Sequence, residues 1–122
     1  MISNIDLVNL LKNGVGGNFY PLSFPSASPD NSSQVEVMPL GATVGGVARV
    51  TVQIITRDVH PNYAEKKAQY IRSFLDGKTD FLIAENVQVV FVQANSLVPQ
   101  YIGTDNNGRH LFSMNYNFIL GV

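Results

Sequence analysis

Two histidines, His60 and His110, are the side chains in this sequence best suited to metal binding or to proton transfer near neutral pH. A metal site built on them needs carboxylates gathered from distant parts of the chain, because they do not stand at a ligand spacing and no cysteine is present. His60 precedes Pro61 and marks the entrance of a helix, and His110 opens the last strand. We therefore predict no catalytic, cofactor-binding or metal-binding residues and no enzymatic activity.

Three further segments have the composition of ligand sites without the required spacing. Glycines at positions 14, 16 and 17 are typical of a phosphate loop, but they follow a helix and lack the Gly-Lys-Ser/Thr ending. The run 105–108, Asp-Asn-Asn-Gly, lacks the spacing and closing glutamate of a calcium loop, so it predicts a turn. Cations around the second helix predict a solvated surface, with a weak contact to phosphates as the alternative: Lys66, Lys67, Arg72 and Lys78.

The chain is poor in charge. Its 122 residues have 14% charged side chains, a net charge of −1 and no cysteine, and we predict one domain, 1–122. This balance provides no attraction for nucleic acid or for an anionic membrane. The polar surface must come from Asn, Ser, Gln and Thr, which are easier to desolvate than Lys or Glu and favour an interface. With no signal peptide and no membrane-spanning apolar run, we expect a soluble protein made in the cytoplasm.

The first half of the sequence predicts a helix and a hairpin. Apolar residues at helical spacing indicate a helix that ends near Gly14, and Ser3 with Asp6 forms a capping box at its start. A loop at 15–33 follows. The alternation at 34–40 and 47–57 predicts a hairpin with a glycine-rich turn between its strands.

The second half predicts another helix and two more strands. Apolar positions 64, 68, 71 and 75 give the helix at 61–76 one buried stripe. After a connection at 78–86, the strand at 87–94 is apolar on both faces, so we expect both to be covered. An excursion at 96–108 leads to a final strand. The order α-β-β-α-β-β implies an α+β domain with a small, mixed or mostly antiparallel four-stranded sheet packed with two helices.

The final strand alternates almost without error from residue 110 to residue 120. Phe112, Tyr116 and Phe118 share one face with Met114 and Leu120, which predicts that this face is buried. Nothing from 111 to 122 carries a side-chain charge, and no proline interrupts it, so we predict an unprotected sheet edge that pairs with another chain. The predicted subunit-interface residues are Ser113, Asn115, Asn117, Arg49 and Arg57.

Two Gly-, Ser- or Pro-rich segments are predicted to be ordered by neighbouring subunits. The 26–33 loop and the 41–46 turn contain few groups that could pack against their own domain. The predicted assembly-loop residues are Ser26, Ser28, Asp30, Gly45 and Gly46.

One protein family shares this pattern of elements. The segment Val50-x-Val52-x-Ile54-x-x-Arg57 runs into the second helix, and the helix Ile5-x-Leu7-Val8-x-x-Leu11 precedes a Gly/Pro loop. The chain resembles the small minor capsid and tail terminator proteins of long-tailed bacteriophages. Only the strand-to-helix junction at Arg57 and Pro61 is carried over from that family.

The resemblance implies a small, non-catalytic α/β sandwich that assembles as a hexameric ring without a cofactor. The ring caps the tail tube in the virion neck and provides the joining surface for the head. The implied partners are the tail tube protein and a head-completion or connector protein. DNA passes through the lumen without specific binding, and no membrane is involved. The protein is then located in the virion, and in the host cytoplasm during assembly.

Two other classes of function remain open. The first is a small-molecule or peptide-binding module in which the Gly/Pro-rich loop is a mobile lid. The second is an enzyme whose site the sequence does not reveal, since nine acidic residues are spread along the chain without a distinctive pair.

Overall fold

A computed structural model describes residues 2–121, apart from the side chains at positions 39, 40, 42 and 44. Met1 and Val122, the ends of the predicted 1–122 domain, lie outside it. Within that range the chain forms two helices and seven strands. In chain order they are α1 (Asn4–Gly14), β1 (Asn18–Pro21), β2 (Ser32–Val44), β3 (Val47–Asp58), α2 (Pro61–Leu75), β4 (Thr79–Ala84), β5 (Val87–Ala94), β6 (Gln100–Thr104) and β7 (His110–Gly121).

The strands form one curled sheet in the order β1-β2-β3-β7-β5-β4, and β6 pairs with β7 beside β5. The pair β1–β2 is parallel, and the other pairs are antiparallel. The α+β class and the two helices agree with the sequence prediction, but the four-stranded sheet is wrong. The three strands that sequence reasoning missed, β1, β4 and β6, are short and lie at the sheet margins. A strand of this length carries too few residues to show a clear period.

Both helices cover the same face of the sheet. The capping box predicted for α1 is present: Asp6 N–H donates to Ser3 Oγ, and Ser3 N–H donates to the Asp6 carboxylate. Pro61 occupies the first turn of α2, where its missing N–H breaks no helical hydrogen bond. The predicted stripe of α2 is buried, as is the predicted inner face of β7; the stripe comprises Ala64, Ala68, Ile71 and Leu75.

The prediction that β7 is an unprotected edge is wrong. Its register with β3 runs from His110 to Gly121, so one edge is paired along the whole strand. Its other edge pairs with β6 along 110–113 and with β5 along 116–121. Local sequence determines which face of a strand is apolar, whereas edge or interior position depends on distant strands. The backbone of β7 is therefore unavailable to another chain, although its outward side chains are not covered by a helix.

Two other details of the sheet also differ from expectation. The strand β5 is not covered on both faces, because Val90 and Phe91 remain 41% and 36% exposed on the side away from the helices. The turn predicted at 41–46 is shorter, since β2 and β3 continue to a two-residue turn at Gly45 and Gly46. Both glycines have positive φ, 51° and 80°, as the tight hairpin turn that matches strand twist requires.

A Gly14→Ala change tests the contact between the two helices. A Cβ at Gly14 overlaps the ring of Phe74 on α2. We expect a net loss of about 1–2 kcal/mol in the free energy of unfolding, because overpacking outweighs the better helix propensity of alanine. Urea denaturation measures the change, and Asn13→Ala, at the exposed preceding position, is the control. A Gly14→Ala protein as stable as this control would contradict the contact.

Candidate assembly interface

The side of the sheet opposite the helices is lined at its centre by uncharged polar groups. We call this side the open face; its central residues are Thr51 and Gln53 of β3 and Ser113, Asn115 and Asn117 of β7. Gln53 lies directly opposite Asn115 in the register, and Thr51 lies opposite Asn117. Asn115 is exposed, and Ser113 and Asn117 are half-buried. The structure thus brings three of the five predicted interface residues together at the centre of this face, and Arg49 lies on the same face outside the centre.

Hydrogen bonds hold these side chains in place. Thr51 Oγ1 donates to Asn117 Oδ1 at 3.1 Å, and Asn117 Nδ2 donates to Asn95 Oδ1 at 2.9 Å. Gln53 Nε2 donates to Ser113 Oγ at 3.3 Å. Partly satisfied amides and hydroxyls are less costly to desolvate than unpaired charges. The centre of the open face is therefore suited to contact with another protein surface.

The open face becomes apolar towards β4. Arg49, a predicted interface residue, is exposed and lies opposite Ile119 of β7. Ile119 is in turn opposite Phe91 of β5. We call Leu82, Val90 and Phe91 the apolar patch; their side chains are 63%, 41% and 36% exposed. Sequence reasoning missed this patch, because it assigned Leu82 to a connection and expected Val90 and Phe91 to be covered.

Arg57 is separated from the other predicted interface residues by burial. It is only 5% exposed, and its guanidinium stacks 3.9 Å from the centroid of the Phe24 ring. Its Nη2 donates to Ser28 Oγ at 2.7 Å and to the Pro29 carbonyl at 3.1 Å. Burial lowers the pKa of Arg57 from its ordinary value, and the nearby charge of Arg109 acts in the same direction. The Arg57 guanidinium therefore makes these contacts within its own chain.

These contacts favour ordering of the 26–33 loop within its own domain, whereas its ordering by neighbouring subunits stays a prediction. Ser28 is tied to Arg57, and Asp30 forms an ion pair with Arg109 at 3.4 Å, although Ser26 remains exposed. Ser32 and Ser33 already belong to β2. The sequence signal that could have identified the anchor is an arginine at the end of a buried strand, where its charge needs partners from a neighbouring loop.

The turn before β7 supports the same end of the sheet. Asp105 Oδ1 accepts hydrogen bonds from the backbone amides of Asn107 and Arg109, as the predicted turn requires. Asp105 Oδ2 accepts from Arg109 Nε at 2.7 Å. The pKa of Asp105 is below its ordinary value, chiefly because the Arg109 amide donates to the carboxylate. Gly45 and Gly46 lie at the other end, next to the Val47–Gly121 pair, so the predicted assembly loops are not adjacent.

A small polar cavity lies near the beginning of α2. It has a volume of about 160 Å3 and is lined by residues that include Ser33, Thr56 and Lys67. These three lining groups already have partners in the chain. Ser33 and Thr56 share a hydrogen bond of 3.0 Å, and Lys67 Nζ donates to the Gly16 carbonyl at 2.6 Å. Burial lowers the pKa of Lys67 from its ordinary value.

Two observations on residues 2–121 concern metal and membrane binding. In that part of the chain, no group of three or more His, Asp or Glu side chains is placed to hold a metal ion. No helix there is long and apolar enough to cross a membrane.

Comparison with known proteins identifies the family. Residues 10–122 match the model of the bacteriophage tail terminator protein family, which covers α2, the open face and every predicted interface residue. The chain belongs to this family. It is therefore a phage tail protein of a structural class, and the family resemblance found in the sequence is confirmed. No curated protein matches the chain.

Proposed function

We propose that this chain is a single tail-terminator domain whose homohexameric ring caps the completed tail tube in the neck of the virion. One side of the ring contacts the tail tube protein, and the other provides the joining surface for a head-completion or connector protein. Assembly takes place in the host cytoplasm, and DNA passes through the lumen without specific binding. The role is structural and requires no cofactor or catalytic group. Family membership supports this function at the level of a structural tail protein.

The observation that supports self-assembly best is the open face. Helices α1 and α2 both pack on the other side of the sheet, and the core lies between them and the sheet. The exposed side combines hydrogen-bonded amides at its centre with the apolar patch at its β4 end. Interface cores are similarly depleted in charge and enriched in apolar groups. A second subunit that covers this face would bury both parts together.

The double variant Asn115→Lys/Asn117→Lys tests the role of the open face. We expect it to fold, because both side chains lie away from the core, and to lose assembly, because two ammonium groups would have to be desolvated beside each other. Loss of the Asn117 hydrogen bonds should cost stability only modestly, since Asn117 is partly solvated. Circular dichroism measures the fold, and light scattering measures the mass of the assembly.

A matched control separates this effect from added charge. Asn9→Lys/Asn13→Lys adds the same two charges at exposed positions of α1 and should assemble like the parent. A folded Asn115→Lys/Asn117→Lys protein that assembles as well as this control contradicts the use of the open face. An unfolded protein contradicts the assignment of the two faces.

The alternative of a binding module with a mobile lid has less support. The loop proposed as the lid is held to its own sheet by Arg57 and by the Asp30–Arg109 ion pair. The cavity near Lys67 is small, and the hydroxyls of Ser33 and Thr56 pair with each other. Both observations favour a structural role for this end of the sheet.

A further inference from the structure

The exposed side of α2 carries a groove in which aromatic and cationic side chains lie together. We call Tyr63, Lys66, Lys67 and Tyr70, with Val15 at the end of α1, the α2 groove. Tyr63 and Tyr70 are 56% and 60% exposed. Residues three, four and seven positions apart share one side of a helix, so the lysines lie between the two rings. Within residues 2–121, neither lysine forms an ion pair.

Two acidic residues lie near Leu82 of the apolar patch in the chain. Asp80 lies two residues before Leu82 on β4, and Glu85 lies three residues after it. Both acidic residues are exposed, and neither forms an ion pair in the described part of the chain. The patch thus has acidic residues on its β4 side, while the cation Arg49 lies across Ile119 from Phe91. The groove is an aromatic surface in which Lys66 is exposed and Lys67 Nζ donates to the Gly16 carbonyl.

We propose that the α2 groove of one subunit receives the apolar patch of the next copy of this chain. The groove lies in the helical layer and the patch lies on the far side of the sheet, so the two surfaces meet in a head-to-tail contact. Such a contact leaves a groove and a patch unpaired at the ends of any open chain, and it closes into a ring when the rotation between subunits permits. This inference rests on the proposed ring and names the surface that the open face contacts.

The chemistry of the two surfaces favours this occupant over nucleic acid. A phosphate backbone would pair with Lys66 but would leave the patch uncovered. A second copy satisfies both surfaces at once, since its Asp80 and Glu85 face Lys66 while its Leu82 and Phe91 contact the tyrosines. Opposite charges around an apolar centre set the orientation of such a contact more than they set its strength.

Exchanging the charges tests the contact. Lys66→Glu and Glu85→Lys should each raise the concentration required for half-assembly by about tenfold, because each replaces an attraction with a repulsion. An equimolar mixture of the two variants should assemble at nearly the parent concentration. In a ring where they alternate, every altered groove meets an altered patch and every original groove meets an original patch. Sedimentation velocity on each variant and on the mixture measures these three values, and Lys12→Glu, outside the groove, is the control.

The outcomes distinguish this contact from the ring itself. If Lys66→Glu and Glu85→Lys assemble like Lys12→Glu while Asn115→Lys/Asn117→Lys does not assemble, the groove contact is overturned and the proposed function stands. A mixture that remains as weak as its components also overturns the contact. A parent that stays monomeric at all concentrations contradicts both proposals. Binding of a fluorescent DNA duplex that Lys66→Glu abolishes, without any effect on assembly, would assign the groove to nucleic acid instead.

Discussion

Replacing Ile71 with alanine is expected to lower the free energy of unfolding by about 2–5 kcal/mol, as buried large-to-small substitutions do. Ile71 is 1% exposed and belongs to the main core cluster, in which α2 packs against the inner face of β3 and β7. Its neighbours on the helical stripe are Ala68 and Leu75; Ala68 is too small to close the space left by the missing atoms, and Leu75 is itself packed in the core. The cavity therefore persists and adds to the lost transfer free energy.

Urea denaturation followed by circular dichroism, at a concentration where the protein is monomeric, measures this loss. Gln69→Ala, two positions away on the exposed side of the helix, should change stability by less than about 0.5 kcal/mol. The same small change for Ile71→Ala would mean that α2 does not pack on the sheet by this stripe. The pair of variants thus tests whether α2 packs on the side of the sheet opposite the open face.

Hydrophobic periodicity and capping residues in the sequence predicted the helices and strands that form the core. The alternation of β7 identified its buried face, because side chains on a strand alternate whatever their partners are. The stripe of α2 and the capping box of α1 are likewise local features, set by residues within a few positions of one another. These signals were sufficient to place Asn115 and Asn117 on the outward side of the sheet.

The sequence did not predict which strands pair with each other in the sheet. Whether β7 is an edge or an interior strand depends on its pairing with β3 on one side and with β5 and β6 on the other, and β3 and β5 are separated from it in the chain by other elements. The strand β4 is only six residues long and its sequence does not alternate, and in the structure Asp80, with a positive φ of 51°, interrupts its regular backbone. The apolar patch became visible only after β4 and β5 were paired, since their hairpin and the register shift between Val89 and Phe91 place Leu82, Val90 and Phe91 on one face.

Different interactions stabilise the two ends of the sheet. At the end next to Gly45 and Gly46, the hairpin turn is exposed and is held by the pairing of β3 with β7. At the other end, a buried cation organises a loop that has no regular structure of its own. That second arrangement concentrates several interactions on Arg57, so removal of this side chain should have a large effect on stability.

Replacing Arg57 with methionine is expected to lower the free energy of unfolding by about 2–4 kcal/mol, because hydrogen bonds from charged groups are strong and their acceptors are left unpaired. Methionine retains much of the aliphatic stem, so the loss isolates the guanidinium. The variant loses the donors to Ser28 Oγ and the Pro29 carbonyl, and also the cation over the Phe24 ring. Arg57→Lys should give an intermediate loss, since one ammonium group cannot reproduce a planar, stacked guanidinium.

Hydrogen exchange in the monomer shows whether Arg57 orders the loop. The amides of Ser28 and Ser32 donate to the carbonyls of Pro25 and Asp30, and we expect them to be protected in the parent and to exchange faster in Arg57→Met. Arg49→Met removes an exposed arginine from the same strand and should leave both stability and loop exchange unchanged. If the two amides exchange as fast in the parent monomer as in Arg57→Met, and become protected only in the assembly, then neighbouring subunits order the loop and the anchoring role of Arg57 is wrong.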